Sequence, residues 1–262
     1  MDQLVTHKES ESEHKSLADR LAAALREEEF VLYGQKIVSL VANPDERPFQ
    51  EILIRFQEEE AKLLPPGSFF PILEECGLLP FVDRWVVSRI TLWSHLAQTI
   101  RPECKLPNNS INLSTTTLSD QAFIEHTRRH LHAAALPALT LSFEVTCDSA
   151  LEQFKGLQNL MAHLRPHGCG FVLARFDGSK GAFELLRKLA PEFVKLSPGL
   201  VRALGQGSTG LSRVDAINRE CHRLGIKTIA EHVESDQTIT QLRMLGVDFG
   251  QGFAIQSPQR LA

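Results

Sequence analysis

Leu139–Thr146 (LTLSFEVT), Ser149–Gly168 (SALEQFKGLQNLMAHLRPHG) and Cys169–Phe176 (CGFVLARF) decide the fold. The first and third segments are short apolar runs, and the second carries its apolar residues at helical spacing. Together they read as strand, crossover helix and strand, a unit whose two strands run parallel with the helix outside the sheet. Moving upstream, the same alternation continues with FVLYGQKIVSLV, EILIRF, FFPILEEC, VDRWVVSRITLWSHLAQTI, SINLS and DQAFIEHTRRHLHAAA. Downstream it continues with KGAFELLRKLA, EFVKLS, one long helical stretch from Leu200 to Leu224, IKTIAE, DQTITQLRMLG and VDFGQGF. That gives about eight strands and about as many helices, which fits a closed α/β barrel of the TIM-like (β/α)8 kind better than an open doubly wound sheet. Residues 16–262 form one domain in this reading, and residues 1–15 form a charged linker or a frayed helix start.

Composition narrows the classes of function. The chain has 262 residues, 43% of them apolar, and 28 Lys and Arg against 32 Asp and Glu give a formal charge of -4. A packed domain is expected, and binding of DNA or RNA by bulk positive charge is not. The five cysteines, at 76, 104, 147, 169 and 221, are scattered and odd in number. A disulfide framework or zinc ribbon is therefore not expected, and a cytoplasmic setting is. No stretch has the length of a membrane span, and the polar N-terminus does not read as a signal peptide.

In a barrel of this type, chemistry belongs at the C-terminal ends of the strands. Those ends carry Glu51 with Arg55, Asn112, Glu144, Ala174 with Arg175, Lys195, Glu231 with Glu234, and Gln251. Glu51 and Arg55 share a face because their offset is even. Any one of these residues could be a strand cap or a solvated side chain; what points to a site is their recurrence over seven strands.

At these residues the chain resembles the EAL domain family of cyclic di-GMP phosphodiesterases and their degenerate relatives. Glu51-Ile52-Leu53 stands for the naming motif, and Arg55 follows it. LLPPGSFFPILEECGLL, SINLS with Asn112, SFEVT with Glu144, FVKLS with Lys195, AEHVES with Glu231 and Glu234, and QGFAIQSP with Gln251 follow in collinear order. The resemblance implies a phosphate-binding Arg55. It also implies base contacts from Gln35, Leu53, Glu234 and Gln251, with Phe253 or His232 stacking on a base.

The departures from the pattern carry their own expectation. The family's paired aspartates, which hold its metals, align with Ala174 and Arg175, and Ser197 stands where another aspartate is found. Two cations close together need hard oxygen donors to acidify water and clamp the phosphoryl oxygens, and a guanidinium repels a second dication. The resemblance thus implies a degenerate member that is not an enzyme. Glu51, Asn112, Glu144 and Glu231 would be remnant ligands, Glu51 and Lys195 remnants of the catalytic set, and no Mg²⁺ or Mn²⁺ pair would form. The chain would serve as a cyclic di-GMP receptor needing no cofactor, signalling to another domain or protein, with a homodimer possible. Arg175 and Lys195 would offset part of the phosphate charge. Two alternatives stay open: a module acting only through protein contacts, its pocket filled by Arg175 paired with Glu144 or Glu51, and a residual metal-dependent phosphodiesterase.

Three further signals have plain readings. His126 and His130 sit at i, i+4, a metal-ligand spacing, but Arg128, Arg129 and His132 beside them favour a solvated basic face. The glycines from Gly205 to Gly210 and the DGSKG segment lack phosphate-loop spacing. Cys147 has no adjacent histidine to activate it and reads as a buried bystander.

Overall fold

The structure is a computed structural model, and it describes residues 19–25, 27, 29–41, 47–57, 63–64, 66–206 and 208–261. The linker expected over residues 1–15 lies outside the described residues.

A helix, α1 (residues 19–25), leads into strand β1 (Phe30–Ser39), β2 (Phe49–Gln57) and the short β3 (Leu63–Leu64). Helices α2 (Pro66–Glu75) and α3 (Leu79–Ile100) follow, then β4 (Asn108–Asn112), α4 (Gln121–Ala134) and β5 (Leu141–Thr146). The chain continues through α5 (Cys147–Glu152), α6 (Phe154–Leu164), β6 (Gly170–Phe176), α7 (Lys180–Leu189), β7 (Phe193–Leu196) and α8 (Pro198–Ala203). It closes with α9 (Ser208–Arg223), β8 (Lys227–Ala230), α10 (Asp236–Met244), β9 (Phe249–Gly250) and β10 (Gln259–Arg260).

The sheet order runs β1-β9-β8-β7-β6-β5-β4-β2, and β2 pairs again with β1, so eight strands close into a barrel with β3 and β10 appended. The TIM-like architecture is therefore present, with one departure from the all-parallel expectation. β1 is antiparallel to both β2 and β9, while the pairs from β2 through β9 are parallel. The reason is local: only nine residues separate β1 from β2, and parallel neighbours need a crossover of about a dozen or more. The expected single helix over Leu200–Leu224 is interrupted by a 3-10 turn at Leu204–Gln206, so α8 and α9 are separate.

Helix starts are fixed by side chains that satisfy free backbone N–H groups. Asp120 accepts from Ala122 N ahead of α4, Ser179 from Ala182 N ahead of α7, and Ser235 from Thr238 N ahead of α10. Inside the barrel, Ile37, Phe49, Val172, Phe193, Ile229 and Phe249 form an apolar floor. The rings of Phe49, Phe193 and Phe249 lie 4.9 to 6.1 Å apart. This floor seals one end, and period-2 alternation then lifts Glu51, Lys195, Glu231 and Gln251, each two residues further along its strand, to the layer above. No helix among the described residues is long and apolar enough to cross a membrane.

Candidate functional site

The layer above the floor is polar, and its centre is Lys195. Its ammonium is fully buried and lies 2.8 Å from Glu51 Oε2 and 2.7 Å from Glu144 Oε2. Asn112 donates to Glu51 Oε1 at 2.7 Å, Gln251 Nε2 to Glu51 Oε2 at 2.6 Å, and Ser110 Oγ to Glu144 Oε2 at 3.0 Å. Gln251 Nε2 also lies 3.0 Å from Gln35 Oε1, and Gln35 in turn donates to the Gln256 carbonyl. Six strands are thus linked around one cation. A buried ammonium is tolerated only where such partners offset its lost hydration.

Burial alone would lower the Lys195 pKa, but Glu144 and Glu51 outweigh it and hold the group protonated. Burial likewise pushes Glu51 up, yet the adjacent ammonium and its hydrogen bonds bring it below the usual carboxylate range. Glu144 goes the other way: burial, with the neighbouring Glu51 charge, pushes it to about 7 in spite of Lys195. Glu231 is also raised, first by burial. This layer therefore holds one buried positive charge, one firmly ionised carboxylate, and two carboxyls that take up a proton more readily than ordinary ones.

β6 differs from its neighbours. Ala174 is buried, and beyond it the register between β6 and β7 shifts between Leu173 and Phe176. At this bulge Arg175 adopts φ 54°, a left-handed backbone that a branched or long side chain rarely takes. The bulge sends the side chain outward: Arg175 is exposed and lines a 500 Å³ cavity with Leu53, Asn112 and Asp83. The expectation that Arg175 pairs with Glu144 or Glu51 is corrected here, because Lys195 takes both carboxylates. Asp177, which follows, accepts from the backbone N–H of its own loop at Ser179.

Two crossing loops form the opposite rim. Val233 N donates to the Gln251 carbonyl and Ala254 N to the Val233 carbonyl, and a side chain on Gly252 would come within 2.2 Å of Val233 O. This close crossing requires glycine at 252. It leaves His232 (φ 55°), Glu234 and Phe253 exposed at the mouth, Phe253 with 70% of its surface free. The Gln251 and Gln256 Oε1 atoms are buried nearby without a hydrogen-bond partner, which marks two acceptors facing an incomplete site. Arg55 lies further along the Glu51 face, its guanidinium 5.8 Å from the Tyr33 ring centroid and its Nη1 donating to the Ile54 carbonyl.

Asp83 escaped the sequence reading. It is buried on α3, where Ser114 N, Ser114 Oγ and Thr117 Oγ1 all donate to its Oδ2, and burial pushes its pKa to about 6. It thereby pins the loop that follows Asn112. A lone acid within VDRWVVSRI, at the spacing of Val87 and Ile90, was the available signal. The side signals resolve simply. His126 and His130 both bond Ser88 Oγ rather than diverging into solvent, and burial pushes the Cys147 thiol to about 12. Among the described residues, no group of three or more His, Cys, Asp or Glu side chains lies close enough to hold a metal ion.

The EAL domain family profile matches residues 18–258. The chain is 31% identical over 246 residues to the cyclic di-GMP phosphodiesterase PdeB of Shewanella oneidensis, covering 94% of this chain and 28% of that protein. It is 29% identical over 252 residues to the cyclic di-GMP phosphodiesterase PdeF of Escherichia coli, covering 94% and 32%. The chain thus spans about a third of the length of these relatives. Among solved structures, the EAL domain of FimX from Xanthomonas citri, in complex with c-diGMP, superposes with a TM-score of 0.90 at 23% identity, covering 97% of each chain. That of FimX from Pseudomonas aeruginosa, bound to c-di-GMP, superposes at 0.82 with 25% identity, covering 91% of this chain and 94% of that one.

These comparisons correct one expectation. The substitutions at Ala174 and Arg175 predict a chain that is not an enzyme, but the relatives it matches are named phosphodiesterases, which points to enzymatic activity rather than to none. The physical reason is that the altered positions, Ala174 and Arg175 on β6 and Ser197 just after β7, leave the remaining donors in place. Glu51, Asn112, Glu144, Lys195 and Glu231 come from five strands and still converge.

Proposed function

This chain belongs to the EAL domain family, and on that premise we propose that it binds cyclic di-GMP across the barrel mouth. The observation that carries the reading is the open cavity of 500 Å³ that meets the Lys195 cluster at Asn112, with the exposed cation Arg175 on its wall. Support comes from the relatives named as cyclic di-GMP phosphodiesterases and from the FimX domain of Pseudomonas aeruginosa bound to that dinucleotide.

Each phosphodiester of the ligand carries one negative charge and offers oxygen acceptors. Arg55 and Arg175 supply planar donors for them, and charge-assisted bonds of this kind are about twice as strong as neutral ones. Guanine presents N–H donors on one edge and acceptors on the other. Glu234 and the free Gln251 Oε1 meet the donors, Gln35 lies beside them, and Phe253 or His232 offers a stacking face. Leu53 and the apolar wall of the cavity cover the second base.

The donor set does not fit a pair of divalent cations. Lys195 already occupies the position between Glu51 and Glu144, position 174 is a methyl group, and Arg175 is itself a cation. Charge on the bound phosphates is met in this reading by protein cations. Turnover is a separate quantity from binding, and one experiment measures both. Calorimetric titration with cyclic di-GMP, in EDTA and then in Mg²⁺, is followed by chromatography of the mixture for the linear dinucleotide. Saturable binding in EDTA is expected. No heat in either buffer would overturn the reading, and linear product would set the turnover that goes with it.

A further inference from the structure

Helix α4 meets its neighbours through histidines. On the α3 side, His126 Nε2 lies 2.8 Å from Ser88 Oγ and 3.0 Å from the Arg84 carbonyl, and His130 Nε2 lies 3.3 Å from the same hydroxyl. His95, on α3, places its Nδ1 3.2 Å from the Ala134 carbonyl at the far end of α4. Away from α3, Arg128 Nε of α4 donates to His167 Nε2 at 3.2 Å, in the 3-10 turn Arg165–His167.

These contacts favour neutral rings. His167 accepts from Arg128, so its Nε2 keeps a lone pair; a proton there would set two N–H groups and two cations against each other. The His126 and His130 rings are 4.4 Å apart between centroids, so two added protons would repel at close range. Among the described residues of α3, α4, α6 and the adjoining turns, the carboxylates are Asp83, Asp120 and Glu125, and each is already engaged. Asp83 is held by Ser114 and Thr117, Asp120 by Arg84 and the Ala122 N–H, and Glu125 by Arg128. The other titratable groups on these elements are basic: Arg84, Arg89 and His95 on α3, Arg129 and His132 on α4, Lys155 and His163 on α6, and Arg165, itself paired with Glu192. Burial first, then the neighbouring His130 and Arg129 charges, makes His126 less basic than an ordinary imidazole; burial and Arg129 do the same for His130.

α4 begins where a loop of the cavity ends. Its N-cap Asp120 closes the segment that leaves β4, and Ser114 and Thr115 of that segment line the 500 Å³ cavity. We propose that α4 is a pH-sensitive latch: it stays docked between α3 and the Arg165–His167 turn while its contact histidines are neutral, and it loosens on acidification together with the Asp120 end of the cavity loop. An imidazole less basic in the folded state than in the unfolded chain binds fewer protons there. Docking is therefore complete above about pH 7 and is lost as the pH falls through the ordinary histidine value of about 6.5. Asp83 gains its proton with the opposite sign, so its titration does not produce this loss.

The test is hydrogen–deuterium exchange on the full chain at pH 7.5 and pH 5, corrected for the intrinsic pH dependence of amide exchange, with α7 as the helix that carries no histidine. On acidification, α4 should lose about tenfold more protection than α7, the equivalent of one pKa unit. His126→Gln with His130→Gln should keep the protection of α4 at pH 7.5 and remove most of the acid-dependent loss, and adding His167→Gln should remove the rest. An α4 that follows α7 at both pH values, or a loss unchanged in the double variant, would overturn the proposal. Nuclear magnetic resonance titration of the ring protons in the parent chain reads the pair without any substitution: midpoints for His126 and His130 below about 6.5 are expected, and midpoints above it would overturn the proposal as well.

Discussion

The two sides of the barrel mouth solve the same problem with opposite charge. On the β2, β4 and β5 side, Glu51, Asn112 and Glu144 point inward on regular strands and are tied to one another through Lys195. On the β6 side, a bulge replaces the regular strand end, a methyl group faces the interior and Arg175 is turned out into the cavity. The first arrangement is closed and mutually neutralising. The second leaves its cation exposed on the cavity wall. The contrast shows that a strand end can lose its inward donor and still contribute, provided that a local backbone irregularity redirects the next side chain.

The largest break in this contrast is expected from Lys195→Met. It leaves Glu51 and Glu144 buried without their common cation, and breaking a buried pair from one side costs about 3–5 kcal/mol. Urea unfolding of the two proteins at pH 7 checks this. A variant that unfolds at the same midpoint would mean the carboxylates are held by something other than the ammonium.

Asp83 tests how the β4 loop is held. Its folded pKa of about 6 lies above the ordinary value of 3.8, so the folded state binds this proton more tightly than the unfolded chain does. The stabilising contribution is therefore complete below pH 4 and is lost as the pH rises through 6. In Asp83→Asn this dependence is absent, so stability relative to the parent should improve by roughly 2 kcal/mol between pH 4 and pH 7. Parallel unfolding curves at the two pH values would show that Asp83 does not titrate in that window.

On the ligand side, Arg55→Ala should weaken cyclic di-GMP binding by about 1.5–3 kcal/mol, the range for hydrogen bonds to charged groups. Calorimetry provides the dissociation constant, and an unchanged value would remove Arg55 from the phosphate site. Phe253→Ala should have the smallest effect, about 1 kcal/mol on binding, at the low end for base–aromatic stacking. Its ring is 70% exposed, so the melting temperature should not move. A loss of stability instead would assign the ring to the rim's packing.

Much of this molecule was legible in the amino-acid order. The eight apolar runs that read as strands are the eight barrel strands, because burial on a pleated surface imposes a period that shows in a few residues. Asn112, Glu144, Lys195 and Gln251 were found together because each lies at or near the end of such a run, and Glu51 because it opens EILIRF; the structure joins them through hydrogen bonds and ion pairs. Asp83 was missed because a helix position between Val82 and Val86 reads as part of the apolar face until the loop it binds is in place. The reversed direction of β1 was missed as well, since strand pattern alone carries no polarity.

What the order of residues determined, then, is which strand ends carry charge and what chemistry those groups have available, since periodicity and side-chain identity are local properties. Only the closed barrel decided how the charges pair. Lys195 and Glu51 are 144 positions apart, and their contact depends on the ring of eight strands closing. The direction of Arg175 depends on a single left-handed residue at a bulge. Neither contact distance nor backbone sign is encoded in a run of side chains, because both are fixed by packing among segments far apart in the chain.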